Sequence, residues 1–358
     1  MPKRFLYAMA ISRNWSPVMK IPTFLIVGEN IHCTRIFKVG GKNVGPGREG
    51  RPVITYAVGR ESRELPVPDV FLQGADWAAG KVKHCAVAVW QGLYGDPAGK
   101  AAGVDYLQAL ARRQEALGAA YLDINVDEFS TDVDEKIRAM TWICRIVQEA
   151  VRIPLSIDSS NLEILRTGLD ACDRSRGKPM VNSVSLERRD AIALAARAGA
   201  VVIASAAGEQ GMPGDTAERL ANIHRLMPLL EEAGFDRPSI SLDPLVFPIS
   251  VDSTNGIKFL EAVRALRAEY GPAIHIVAGL SNVSFGLPNR KLINQVFSWL
   301  AVEAGADGGI VDPVQINKAI LEALDPNDRN FKLAADLLLG RDEYGLAYIE
   351  AFRGAEGG

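Results

Sequence analysis

Four short apolar runs finish on, or one residue beyond, a carboxylate or a neutral amide. They are Pro154–Asp158 (PLSID), Pro179–Ser183 (PMVNS), Ser239–Asp243 (SISLD) and His275–Asn282 (HIVAGLSN), and they present Asp158, Asn182, Asp243 and Asn282. A carboxylate can accept two N–H bonds at once, and bonds to an ionised group are the strong ones. An amide offers a donor and an acceptor from one uncharged side chain, so it can follow a nitrogen whose charge changes during a reaction. Other runs end alike: Glu29 and Asn30 follow Thr23–Gly28, Asp123 and Asn125 lie in Tyr121–Val126, and Asp312 closes Gly308–Asp312; Ser205, closing Ala200–Ser205, is the exception. Asn161, Ser281 and Arg290 stand close by. No Lys or Arg ends a run, and one histidine, His32, follows closely. Such a ring suits a ligand rich in N–H donors. It suits a sugar phosphate poorly, because phosphate sites use glycine-rich loops, helix N-termini and cations. The competing account of each residue is that it caps the helix that follows.

These side chains can act together only if their runs lie side by side. Each run is short and apolar on both faces, as parallel strands covered by helices are. Helical stripes separate them: Val104 to Leu117, Val133 to Val151, Asn161 to Leu169, Asp190 to Ala198, Thr216 to Leu230, Gly256 to Ala268 and Arg290 to Leu300. Thr131-Asp132-Val133-Asp134 reads as a capping box, and Asn289 stands where an N-cap belongs. Eight strand–helix units predict an α/β fold, a (β/α)8 TIM barrel with its chemistry at the carboxyl ends of the strands. An open doubly wound sheet would want a Gly-x-Gly-x-x-Gly after the first strand, and none is there. The unit after the first strand is too long for a loop. Residues about 33–102 read as an insertion, with Pro52–Val58 and His84–Trp90 as strands and a hairpin over the barrel mouth. Flanking it, residues 1–22 read as an N-terminal extension, 23–325 as the barrel and 326–358 as C-terminal helices packed on it.

With 358 residues, 48% of them hydrophobic, the chain can bury a large core, and its net charge of −3 gives no footprint for nucleic acid or for an anionic membrane surface. No apolar run nears the roughly 20 residues that span a bilayer. Lys3 and Arg4 before FLYAMAIS faintly suggest a signal peptide, but Arg13, Asn14 and Pro17 break the pattern. Four scattered cysteines fit reduced thiols, so the expected location is cytoplasmic. His32-Cys33 and His84-Cys85 offer soft ligands, but adjacent residues seldom share one tetrahedral metal, and no metal is expected.

Gly279-Leu280-Ser281-Asn282-Val283-Ser284 with Asn289-Arg290, Leu242-Asp243-Pro244-Leu245, Ile157-Asp158-Ser159-Ser160-Asn161 and Leu122-Asp123-Ile124-Asn125-Val126 resemble the pterin-binding methyltransferase family. The folate domain of cobalamin-dependent methionine synthase is similar. The resemblance runs from about Phe24 to Asp312, apart from the insertion. It implies methyl transfer between (methyl)tetrahydrofolate and the cobalt of a cobalamin or other corrinoid carried by a partner protein, in either direction. It implies that Asp158, Asn182 and Asp243 hold the aminopyrimidine edge, that Asp123 and Asn125 support it, and that Asn282 reaches N5. Glu29, Asn161, Ser281 and Arg290 belong to the same implied pterin site, and a homodimer is implied. The chain departs from the family at Gly28-Glu29-Asn30-Ile31-His32, where relatives often have Gly-Glu-Arg-Ile-Asn. Two other readings remain: dihydropteroate synthase, whose Ser-Arg-Lys is replaced here by Ser281-Asn282-Val283, and a pterin-binding module without catalysis.

Overall fold

The computed structural model describes residues 19–48 and 50–353. The stretch carrying Lys3, Arg4 and FLYAMAIS, and most of the expected 1–22 extension, lie outside the described residues. Eight parallel strands close a barrel: β1 Leu25–His32, β2 Ala119–Asn125, β3 Leu155–Asp158, β4 Met180–Val184, β5 Val201–Ser205, β6 Ile240–Asp243, β7 His275–Gly279 and β8 Gly308–Val311. Each strand pairs with the next in sequence, and β8 returns to β1. The predicted TIM barrel is therefore the observed fold.

Register does the work of aligning the polar ends. His32 lies opposite Asn125, Asn125 opposite Asp158, and Asp158 opposite Asn182, so four adjacent strands put these residues in one row. Ser205 and Asp243 pair likewise farther round. Below the row, Val27, Met180, Ile203, Val277 and Ile310 fill the barrel interior and floor the cavity above. Outside, the apolar faces of the helices pack against the sheet. Helix Val133–Gln148 buries Met140, Ile143, Cys144 and Val147, one stripe at helical spacing. Its cap is Asp132, not Thr131, with the carboxylate accepting from the N–H groups of Asp134 and Glu135 at 2.8 and 3.2 Å. Asn289 does not cap helix Arg290–Ala304 through its side chain; it takes a left-handed conformation at the turn.

Two features differ from the sequence expectation between β1 and β2. His84–Trp90 is not a strand but most of helix His84–Tyr94, buried from His84 to Val89. A run apolar all round has no period to distinguish helix from strand. Its partner, helix Pro97–Ala116, starts seven residues before Val104. The two approach closely, because a Cβ on Gly103 would stand 2.5 Å from the Ala88 carbonyl oxygen. The hairpin is also placed differently. A three-stranded antiparallel sheet, Val44–Pro46, Pro52–Val58 and Glu61–Pro66, leans on helix Pro97–Ala116, where Tyr56 and Arg63 both reach Asp105 at 2.6 Å. A smaller pair, Ile36–Lys38 with Lys81–Lys83, borders the mouth.

Candidate active site

A cavity of about 1090 Å³ opens at the carboxyl ends of the strands. Asp123, Asp158, Asn182, Asp243, Glu29, Ser281, Asn282 and Arg290 all line it. A neighbouring groove of about 1120 Å³, between Ile249–Ser253 and the C-terminal helices, contains none of the buried carboxylates. Chemistry that needs desolvated acids therefore belongs to the barrel mouth.

Asp123 is the hub. It is fully buried, and its Oδ2 accepts from Asn182 Nδ2 at 3.1 Å and lies 2.9 Å from His32 Nε2. Its Oδ1 has no hydrogen-bond partner among the described residues. Burying such an atom unpaired is costly, so a donor from a ligand would be strongly favoured there. The Asp123 bond also fixes the Asn182 amide with its nitrogen turned to Asp123, which leaves the amide oxygen as an acceptor. Burial lowers the pKa of His32, but Asp123, Asp158 and Glu29 outweigh burial and hold the imidazole above its ordinary value. A ring nitrogen of His32 and one carboxylate oxygen each of Asp123 and Asp158 lie within 4.8 Å of one another. His32 thus stands in the site against carboxylates that favour its protonated form, a role that its position beyond the expected strand end at Glu29-Asn30 did not show.

Burial and the Asp123 charge push the Asp158 carboxyl up, against the pull of His32 and Asn125. Asn125 does not line the cavity: its Nδ2 donates to Asp158 Oδ2 and its Oδ1 accepts from the Asp127 N–H, both at 2.9 Å. It is a clamp on Asp158. Asn161 does not line the cavity either. It caps helix Leu162–Asp170, accepting from the N–H groups of Glu163 and Ile164 at 2.9 and 3.2 Å. Here the capping account was the correct one, because Asn161 follows the strand by three residues and faces the helix start.

Asp243 is held by its own turn. Its Oδ1 accepts from the Leu245 N–H at 2.8 Å, with Leu245 at φ 65°. Burial pushes this carboxyl up to about 7, against the Leu245 N–H and the charge of Arg219. Arg219, fully buried in helix Thr216–Glu232, donates from Nε to the Pro244 carbonyl at 2.8 Å and lies over Phe247 at 5.0 Å. Nothing in the amphipathic pattern of that helix marked the arginine as buried.

Asn282 sits in the single turn Leu280–Ser284 after β7. Its Nδ2 would stand 3.1 Å from a Cβ at residue 279, so Gly279 keeps room for the amide. Among the described residues its side-chain amide has no hydrogen-bond partner. Ser281 Oγ reaches Glu29 Oε1 at 3.4 Å, and Arg290 donates to Ser284 Oγ and the Ser281 carbonyl, both at 3.0 Å, with its guanidinium 4.3 Å from the Phe285 ring. Arg290 therefore braces the Asn282 turn. Glu29 pairs with Arg35, and Asn30 donates to Asp312 Oδ1 at 2.7 Å.

The strand ends were read as carrying no Lys or Arg, and besides His32 and the expected Arg290 the cavity is lined by Arg35, Lys42 and Arg113. Most arrive from the segment between β1 and β2, whose path the strand-end pattern does not describe. The two His-Cys pairs do not converge among the described residues. His84 Nδ1 instead lies 2.9 Å from the Tyr106 hydroxyl, and Cys85 reaches the Asn30 carbonyl at 3.3 Å.

Residues 98–312 match the model of the pterin binding enzyme family. The chain belongs to that family. A methylcorrinoid:tetrahydrofolate methyltransferase from Eubacterium limosum is 32% identical over 256 residues, which cover 69% of this chain and 87% of the relative. The pterin-binding methyltransferases are thus the branch of the family that the sequence resembles. Among solved structures, a dihydropteroate synthase from Stenotrophomonas maltophilia is 22% identical, covering 63% of this chain and 87% of its own, with a TM-score of 0.49. One from Xanthomonas albilineans is 22% identical, covering 61% and 82%, with a TM-score of 0.47. Among the described residues, no helix is long and apolar enough to cross a membrane.

Proposed function

We propose that this protein transfers a methyl group between N5 of a tetrahydrofolate and a corrinoid cobalt held by a partner protein. One observation supports this most. Asp123, Asp158, Asn182 and Asp243 converge on one cavity that also holds Asn282 with an uncommitted amide. The methylcorrinoid:tetrahydrofolate methyltransferase relative gives that convergence its substrate.

The donor set fits a pterin. Its aminopyrimidine edge carries a 2-amino group and ring N–H donors side by side. The cavity answers with the partnerless Oδ1 of Asp123, the Asn182 oxygen, and the buried carboxyl groups of Asp158 and Asp243. Carboxylates pushed up by burial gain most when an N–H edge replaces the water they have lost. With the ring so held, N5 faces the β7 side. A tertiary amine is a poor leaving group, so N5 needs a hydrogen bond or a proton as its methyl departs. Asn282 can supply the bond from Nδ2 without adding a charge, and an interaction that grows with the charge on N5 lowers the barrier more than it tightens binding. Arg290 holds the turn that aims it. The corrinoid, when its carrier docks, supplies the cobalt that exchanges the methyl; this chain supplies the other half of the site.

The test is spectroscopic. Purified protein is mixed with methylcobalamin and tetrahydrofolate, and separately with reduced cobalamin and methyltetrahydrofolate, and the cobalamin absorbance is followed. Enzyme-dependent interconversion in either direction is expected. Tight folate binding without any enzyme-dependent change in the cobalamin spectrum would leave a pterin-binding module and end the transfer reading.

A further inference from the structure

The two carboxylate oxygens of Asp123 have different fates. Oδ2 is spent inside the protein, where it accepts from Asn182 Nδ2 at 3.1 Å and faces His32 Nε2 at 2.9 Å. Oδ1 is buried with no partner among the described residues, on a side chain that lines the cavity. With the imidazole as donor, both bonds at Oδ2 need lone pairs there. A proton on Asp123 would therefore sit on Oδ1, and it would turn the one open acceptor into a donor. His32 works against that proton. Its side chain is only 12% exposed, and burial opposes its positive charge, but Asp123 on β2, Asp158 on β3 and Glu29 on its own strand outweigh burial. An imidazolium 2.9 Å from the carboxylate disfavours a second proton on the same pair. The neighbouring acids are not fixed in this way. Burial pushes Asp243 up to about 7 and raises Asp158 too, so near neutral pH each can hold a proton.

We propose that His32 is a positioning residue that sets specificity: by keeping Asp123 Oδ1 an obligate acceptor, it makes the cavity select folates that carry N8–H over fully oxidised folate, which has a lone pair at that atom. The inference rests on the pterin reading above, and it follows from the hydrogens of the ring. A tetrahydropterin presents N–H groups at N3, at the 2-amino group and at N8. Oxidation to the aromatic ring removes the hydrogen at N8 and leaves N3, the 2-amino group and the tail as they were. A pocket whose acids could all take up a proton would adapt to either form. A pocket with one acceptor that cannot switch sets a lone pair against a buried carboxylate when the oxidised ring enters, and neither group finds a partner. Such a mismatch costs about ten- to a hundredfold in affinity.

The experiment measures equilibrium binding of tetrahydrofolate, 7,8-dihydrofolate and folic acid to the full chain under anaerobic conditions. Dihydrofolate is the informative probe, because it carries N8–H but lacks the hydrogen at N5. The wild type is expected to bind both reduced forms about ten- to a hundredfold more tightly than folic acid. His32→Gln keeps an N–H donor for Asp123 and removes the charge, so the preference should shrink severalfold, with affinity for folic acid held or raised. Asp123→Asn, whose amide can turn an N–H toward the cavity, should lose the preference as well, and it tests the inference independently of how well His32→Gln folds. A role in folding alone would weaken all three ligands together and leave their ratios unchanged. Unchanged ratios in both variants, or dihydrofolate binding as weakly as folic acid to the wild type, overturn the inference while the pterin reading stands. Failure of all three ligands to bind the wild type overturns the pterin reading, and this inference with it.

Discussion

Asp243→Asn is expected to make the protein more stable and nearly unable to bind folate. Asp243 is buried, and its carboxyl is raised from 3.8 to about 7 chiefly by burial. The sign of the stability effect follows from proton counting. The native state keeps the proton up to about pH 7, whereas the unfolded chain gives it up near 4. The unfolded state therefore binds fewer protons between those values, and native stability falls as pH rises across that window. Above pH 7 the full cost is present. At about 1.36 kcal/mol per pH decade the shift corresponds to roughly 4 kcal/mol, and partial relaxation around the amide leaves about 2–4 kcal/mol as the expected gain. An asparagine keeps the Oδ1 acceptor for the Leu245 N–H, so the turn at φ 65° should survive. Scanning calorimetry of the unliganded proteins at pH 8 would show the gain, and at pH 4 the difference should vanish.

Binding should move the other way. Two N–H bonds to a carboxylate contribute about 1.5–3 kcal/mol each, so replacing the acceptor pair with an amide costs on the order of a hundred- to a thousandfold in Kd. The wild type carries its own control. If the ligand needs Asp243 ionised, affinity rises with pH and levels off above about 7. At pH 6 the group would be about one-tenth ionised, giving a roughly tenfold loss. Isothermal titration in two buffers of different ionisation enthalpy should also show protons released on binding near pH 7, and fewer in Asp243→Asn. Folate affinity that is flat from pH 6 to 8 in the wild type, or unchanged by the substitution, would refute the assignment of Asp243 as a ligand acceptor.

Asn282→Ala is expected to lower the rate of methyl transfer about a hundredfold while folate Kd stays within a few fold, since the amide acts mainly as charge develops on N5; single-turnover absorbance kinetics with titrated folate separate the two. His32→Ala should destabilise the fold by about 2–4 kcal/mol, because it leaves the buried Asp123 carboxylate without its cation, and His32→Asn should recover part of that through a neutral donor. The His32 pKa is raised, so the ion-pair stability is present at low pH and lost as pH climbs through the elevated value; the wild-type advantage in urea midpoint over His32→Asn should shrink accordingly. Arg219→Met should cost about 1–3 kcal/mol by stranding the Pro244 carbonyl, and should weaken folate binding by loosening the Asp243 turn, read by urea melts beside titration.

The barrel and the polar ring were legible because one physical rule governs both. A parallel strand buried on two faces reads as an unbroken apolar run, and the first polar residue after it marks the point where the backbone leaves the sheet. The strand ends at Asp158, Asn182 and Asp243 were found in that way, and the observed register puts Asp158 and Asn182 side by side. Whether a side chain then turns into the cavity or back to a helix N-terminus is settled by a few degrees of backbone. Asn125 and Asn161 therefore looked equivalent to Asp158, although one clamps it and the other caps a helix.

The segment from β1 to β2 resisted reading for a different reason. Its helix His84–Tyr94 is buried on nearly every side, so it lacks the contrast from which a period is inferred. Its contribution to the mouth depends on long-range contacts, such as the Tyr106 hydroxyl on His84, that have no local signature. That is also why the cations were missed. Strand ends can be enumerated from sequence, but Arg35, Lys42 and Arg113 reach the cavity from turns and a helix flank. The two kinds of element carry different parts of the chemistry: residues at strand ends share a fixed scaffold and suit the heterocycle and the reacting nitrogen, whereas the turns between β1 and β2 can vary without disturbing the barrel. On this argument a change at Asn282 should alter how fast the methyl moves and leave the barrel as it is.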